Sequence, residues 1–237
     1  MPSNSEPATR HFVAAQLAIF LIAAAVVLPL VTPGQAVAGG LFVKLEFLAR
    51  VAALVAFAHW LLRRRSRRWS DVGLSRPSWR RFLIALAAGL LIVVVFAQIA
   101  QAIIARFGLP APNYAMFAPI KGSLGDYLFW VLPVTVGSAA FGEELMFRGF
   151  LTDALLRLCG GALRAPVFVT AVTMQAVIFG ALHFYQGVSG MIIAGATGLA
   201  LGLTWLIAGR NLWAGIVLHA LLDGSAMTAI YLGYVTI

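Results

Sequence analysis

Phe141-Gly142-Glu143-Glu144-Leu145-Met146-Phe147-Arg148-Gly149-Phe150-Leu151 is the stretch on which the reading of this chain turns. Two adjacent carboxylates and a guanidinium stand inside a long apolar run. An ionisable side chain at membrane depth costs about 2.5–3.5 kcal/mol on insertion scales, so three together are not incidental. If the run is α-helical, each residue turns by about 100°. Glu144 and Arg148 then lie about 40° apart on one face and can pair at i,i+4. Glu143 and Arg148 lie about 140° apart, so Glu143 needs a partner from another helix or from water.

Composition sets the class around that stretch. Of the 237 residues, 62% are hydrophobic and 11% charged, with a mean hydropathy of +0.94. Soluble domains are about 45–50% apolar and about 25% charged. The fold class is therefore all-α: a polytopic integral membrane bundle without a large soluble domain. The single cysteine, Cys159, excludes an internal disulfide and a cysteine-based metal cluster. The net charge of +9 is not a nucleic-acid signal, because eight of the fifteen arginines fall between Arg63 and Arg81. Beside apolar spans, such a block orients the chain and contacts anionic membrane lipids.

Taken in order, the chain divides into about seven spans. Met1–Arg10 is polar and expected to fray. Phe12–Val31 is long enough to cross a bilayer, which takes about 20 residues. Thr32-Pro33-Gly34 and Gly39-Gly40 turn the chain into a second span, Leu41–Leu62, where Glu46 and Arg50 can pair at i,i+4. The arginine block to Arg81 is placed in the cytoplasm, and the N-terminus with it. The third span is Phe82–Ala105. Arg106–Asp126 is an external connection with room for a short interfacial helix. The fourth span begins near Asp126, carries Glu143 and Glu144 and ends before Gly160-Gly161. The fifth runs from Pro166 to about Tyr185 and Gln186–Gly190 turns. The sixth, ending near Ala208, carries Gly195, Gly198 and Gly202 at a spacing that permits close helix packing. The seventh is Leu212–Tyr234. Residues 1–125 hold the N-terminal spans and the arginine loop, and 126–237 the expected catalytic core, within one structural domain.

Four histidines occur. His11 and His59 lie near span ends and read as interfacial. His183 and His219 fall inside apolar runs. Phe179 and His183 share a helix face, and so do His219 and Asp223. Hydrogen bonding to neighbouring helices would explain one such histidine. Two histidines, an aspartate and an unpaired glutamate on three spans point to a site. Glu143 and two imidazoles can hold and deprotonate a water for attack on a carbonyl. Glu143, His183, His219 and Asp223 can alternatively bind a divalent metal such as zinc with an open water position.

The motifs E-E-x-x-x-R (Glu143-Glu144 to Arg148), F-x-x-x-H (Phe179 to His183) and H-x-x-x-D (His219 to Asp223) together resemble the CPBP family of CAAX proteases and bacteriocin-processing enzymes, also called Abi-type. The resemblance covers about residues 126–235. It implies an intramembrane endopeptidase acting on a membrane-associated peptide or protein; the short loops and the lack of a soluble domain place it in a bacterial inner membrane. Glu143 would activate water, and His183 would hold that water or a metal. His219 and Asp223 would stabilise the oxyanion or complete the site. Glu144, Arg148 and Phe179 would support it. The eukaryotic branch carries asparagine where this chain has Asp223, and metal dependence stays open.

Two other readings compete. Gly187-Val188-Ser189-Gly190 matches the G-x-S-G of rhomboid proteases, with His219 as the partner of Ser189. A non-proteolytic chaperone, regulator, immunity factor or transporter of the same fold is the other. Span counting also sets Glu143 and His183 near opposite membrane faces. Their convergence on one polar cavity, reached from the cytoplasmic side, is expected to come from a fourth span starting nearer Pro133 and a fifth starting later.

Overall fold

The computed structural model describes residues 5–27, 41–159 and 164–235. The turns expected at Thr32-Pro33-Gly34, Gly39-Gly40 and Gly160-Gly161 lie outside those residues. Among the described residues there are seven long helices and no strand: α1 Ser5–Val27, α2 Leu41–Arg64, α3 Trp79–Arg106, α4 Leu124–Leu158, α5 Ala165–Ala181, α6 Gly187–Ile207 and α7 Trp213–Tyr231. Five of them, α1, α3, α4, α6 and α7, contain stretches long and apolar enough to cross a membrane. Helix α5 is apolar but shorter, with Pro166 in its first turn, where a missing N–H costs nothing. Helix α2 carries the Glu46–Arg50 ion pair in its first half.

Several boundaries depart from the sequence reading. Helix α1 is already wound at Ser5, within the segment expected to fray. Helix α5 stops at Ala181, so His183 lies beyond its end. No tight turn spans Gln186–Gly190, because α6 starts at Gly187. The 107–123 connection does contain a short helical turn, Ala115–Ile120. Its Met116 and Ile120 are buried against Trp130 and Val134 of α4 and Met227 and Ile230 of α7. Burying those side chains removes apolar surface from water, at about 25 cal/mol per Å².

Helix α4 occupies the middle of the bundle. Its N-terminal half packs on α7, its C-terminal half on α1, and α2 lies along both. Phe20 and Phe150 meet with ring centroids 4.8 Å apart. On the other side, α6 lies between α3 and α5, and glycines let the backbones approach. A Cβ on Gly180 would sit 2.6 Å from the Met191 carbonyl oxygen and 3.0 Å from Gly195 Cα. A Cβ on Gly202 would meet Val172 Cγ1 at 2.6 Å. The outer face of α3 exposes Leu83, Leu90, Leu91, Val94 and Val95, an apolar surface suited to lipid.

The bundle has two distinct ends. At one, Arg67 Nη2 donates to Asp153 Oδ1 at the end of α4 (3.2 Å), and Asn211 Nδ2 donates to the Ser75 carbonyl (2.9 Å). At the other, the Asn113 N–H donates to the Gln186 carbonyl (2.9 Å) and the Gly122 N–H to that of Tyr231 (3.1 Å). The arginine loop and the 107–123 connection thus cap opposite ends.

Adding a methyl group at Gly180 should lower the melting temperature of the detergent-solubilised protein, by an overpacking cost of about 1–3 kcal/mol. Gly125→Ala, where nothing lies within 4 Å of the new Cβ, is the control and should leave it unchanged or raise it.

Candidate active site

Helix α4 is wound as a wide π-helix from Trp130 to Glu143 and again from Leu145 to Leu151. Pro133 lies inside this stretch. A proline ring clashes with the i−4 carbonyl and offers no N–H, and a wider turn relieves the clash. The α-helical geometry expected for Glu143–Leu151 is therefore corrected. With i→i+5 bonding, the helix advances less per residue, and Glu143 and Arg148 sit closer in angle than α geometry allows.

Glu144 and Arg148 are wholly buried. Arg148 Nη1 donates to Glu144 Oε1 (2.8 Å) and Nη2 to the Gly198 carbonyl of α6 (3.0 Å). That carbonyl also accepts from Gln175 Nε2 of α5 (2.9 Å). The guanidinium lies over the Phe179 ring, 4.7 Å from its centroid. His219 of α7 reaches the same carboxylate, with Nδ1 3.1 Å from Glu144 Oε1. One charged group thus ties α4, α6 and α7 together. Gly215 makes the approach of α7 possible, since a Cβ there would lie 2.8 Å from Glu144 Oε2.

These contacts settle ring orientations. A carboxylate only accepts, so His219 Nδ1 carries a proton toward Glu144 and Nε2 faces the other way. Nε2 lies 3.4 Å from Asp223 Oδ2 and 3.9 Å from Glu143 Oε2. His183 Nδ1 lies 2.7 Å from the Phe179 carbonyl oxygen, so it too is the protonated nitrogen and Nε2 keeps its lone pair. The His183 ring packs on Phe179, with centroids 4.6 Å apart.

Glu143, His183, His219 and Asp223 line one cavity of about 230 Å³, and Phe179 forms part of its wall. Neither shift expected to bring Glu143 and His183 to one depth occurs. Helix α4 starts at Leu124 and α5 at Ala165. The wide winding of α4 shortens its advance, and His183 sits past the end of α5, where the chain turns back. Tyr114, Met116, Phe117, Tyr185 and Gln186 close the cavity at the 107–123 end, away from the arginine loop.

The sequence reading missed Tyr114, Tyr185 and Gln186. Tyr185 stacks on His183 (5.8 Å, 28°), and its hydroxyl accepts from Gln186 Nε2 (3.2 Å). Its place two residues after His183 was the available signal. Burial, and after it the charge of Asp223, hold the Tyr114 phenol above its usual range, so it stays protonated. Ser189 stands apart from this group. It is absent from the cavity lining, and its hydroxyl donates to the Pro110 carbonyl (2.6 Å), which removes the geometric support for a Ser189–His219 pair.

Residues 125–225 match the family model Rce1-like, described as type II CAAX prenyl endopeptidase Rce1-like. The resemblance carried by the three motifs holds. The Rce1-like segment runs from the first turn of α4 past Asp223 of α7 and contains all seven motif residues. No curated protein matches the chain, and no solved structure does. The protein is an integral membrane protein, and its residues 125–225 are similar to that family.

Arg148→Leu should destabilise the protein by about 3–5 kcal/mol, because it leaves the Glu144 charge buried and uncompensated. Adding Glu144→Gln to that variant should restore part of the loss, read as the denaturation midpoint in mild detergent.

Proposed function

We propose that this protein is an intramembrane endopeptidase that hydrolyses a peptide bond with water activated by Glu143. The observation that carries the reading is the placement of the Glu143 carboxylate 3.9 Å from His219 Nε2, on a cavity it shares with His183 and Asp223. Glu143 takes a proton from water as the oxygen attacks the scissile carbonyl carbon. His183 Nε2, with its lone pair free, accepts a hydrogen bond from that water and orients it. His219, protonated on both nitrogens, presents Nε2–H to the carbonyl oxygen as it gains charge, while Asp223 balances the imidazolium. The C–N bond then breaks, and the proton held by Glu143 passes to the leaving amine. The Tyr185 hydroxyl accepts from Gln186, so its own hydrogen is free to point into the cavity as a second donor to the oxyanion.

A divalent metal is the other way to hold the water. Among the described residues, no three His, Cys, Asp or Glu side chains are grouped as ligands of one ion. His219 Nδ1 is already committed to Glu144. With Nδ1 so held, Nε2 is the nitrogen that His219 would offer a metal, beside His183, Glu143 and Asp223; the mechanism above runs without one.

Access follows from charge and topology. The arginine-rich end lies in the cytoplasm by the positive-inside bias, which puts the N-terminus there and the cavity, roofed by the 107–123 connection, nearer the outer face of a bacterial inner membrane. The substrate is a membrane-associated peptide segment, prenylated CAAX-like or a leader peptide, presented at that face.

Hydrolysis of a fluorogenic CAAX-type peptide, farnesylated or unmodified, by protein in liposomes tests this reading. Glu143→Gln should cost about 10²–10⁴-fold in kcat, the usual contribution of a general base, with the fold intact. Tyr185→Phe should cost less, mainly in kcat rather than KM. Full activity of Glu143→Gln would end the proposal. Activity should survive chelation; loss on chelation with recovery on adding zinc would replace the direct water mechanism by a metal-held one.

A further inference from the structure

At the end of the bundle away from the cavity, three arginines surround one carboxylate. Arg157 Nε donates to Asp153 Oδ2 (2.9 Å), Arg67 Nη2 donates to Asp153 Oδ1 (3.2 Å), and Arg65 Nη1 lies 3.9 Å from Oδ2. Three guanidiniums against one carboxylate leave two positive charges uncompensated. Arg65 is the inner member of the group. Its side chain is only 5% exposed, its Nε donates to Gln16 Oε1, and its guanidinium lies over the Phe150 ring, 5.0 Å from the centroid.

The hydrogen-bond inventory of this group is incomplete. Nη1 and Nη2 of Arg65 and Nε of Arg67 are buried and have no hydrogen-bond acceptor. Buried donors of this kind are rare and ordinarily mark a bound water or ion. Burial, opposed by Asp153 and reinforced by Arg157 and Arg67, pushes the Arg65 guanidinium down to about 10, so it stays charged at neutral pH. The surroundings are those of the headgroup level. Arg65 follows directly on α2, and Arg64 lies over the Trp60 ring at 4.7 Å, an aromatic–cation pair of the kind found at membrane interfaces.

We propose that Arg65, Arg67 and Arg157 form a phosphate-binding site at this end of the bundle, whose ligand is the phosphate of an anionic lipid headgroup or free phosphate. A phosphate oxygen accepts from the planar guanidinium fork in a way that a single shared carboxylate does not satisfy. Arg67 and Arg157, the more exposed pair, stand at its rim, and Arg65 supplies the buried charge at its base. Asp153 then holds Arg67 and Arg157 in place beside a ligand of the same sign. The two surplus positive charges keep the whole site attractive to an anion.

The test uses the full chain, purified in neutral detergent and in zwitterionic nanodiscs. Short-chain phosphatidylglycerol and sodium phosphate, each matched in ionic strength with chloride, are titrated while the melting temperature is followed. The expected result is a saturable stabilisation of the wild type, with the apparent Kd raised at least tenfold in R67Q/R157Q. R76Q/R80Q, in the same loop but outside the cluster, should bind as the wild type does. Saturation by phosphate at a similar affinity identifies the free anion as ligand, and saturation by the lipid alone identifies the headgroup. R65Q is the sharper variant, but it also removes the Gln16 contact. R67Q/R157Q therefore decides the matter if R65Q fails to fold. Equal affinities in the wild type and R67Q/R157Q, or no saturable response of the wild type to either ligand, would overturn the proposal.

Discussion

Glu144 holds this structure together at the point where it matters most. One oxygen of its carboxylate accepts from Arg148 on its own helix and from His219 on α7, and Arg148 carries the connection onward to Gly198 of α6. In a low-dielectric interior a charge must be paired and hydrogen-bonded, or its burial costs several kcal/mol. That requirement fixes the register of three helices at once. Glycine at position 215 is part of the same constraint, because α7 cannot come this close to Glu144 with a side chain there.

The division of labour between two adjacent glutamates follows from that network. Glu144 is shut away at 0% exposure, while the Glu143 side chain keeps 17% and opens on the cavity. The His219 imidazole joins the two. Its Nδ1 is held by the buried carboxylate and its Nε2 turned to the open one. A ring tethered on one side presents its other nitrogen in a defined direction, which is the arrangement that preorganised acid–base and oxyanion chemistry needs. Phe179 adds to it, contacting Arg148, His183 and His219. The residues with structural tasks and those facing the cavity form one continuous assembly.

The two ends of the bundle are built for different tasks. The 107–123 connection folds its apolar side chains inward and roofs the cavity with Tyr114, Met116 and Phe117. At the opposite end, the arginine loop docks onto the tip of α4 through Asp153, and Trp69 packs into the core there. Arginines read as lipid anchors are thus partly structural. The long stem of each buries apolar surface while its head meets a carboxylate or an aromatic ring.

The sequence alone determined what depends on neighbours a few residues apart. Apolar runs long enough to span a bilayer marked the helices. Residues four apart identified the Glu144–Arg148 and His219–Asp223 pairs, because residues at that spacing meet on any helix. The three motifs together marked the resemblance that the family model bears out over residues 125–225. Tertiary structure decided what depends on separate helices meeting. Nothing local says that His219 would take Glu144 with one nitrogen and face Glu143 with the other. Neither does periodicity show that α4 would wind wide around Pro133, that His183 would lie past the end of α5, or that Tyr114 and Tyr185 would join the cavity. Side-chain spacing along one helix is set by backbone geometry within a turn, whereas the convergence of residues 143, 183 and 219 is set by where three packed helices let their backbones approach.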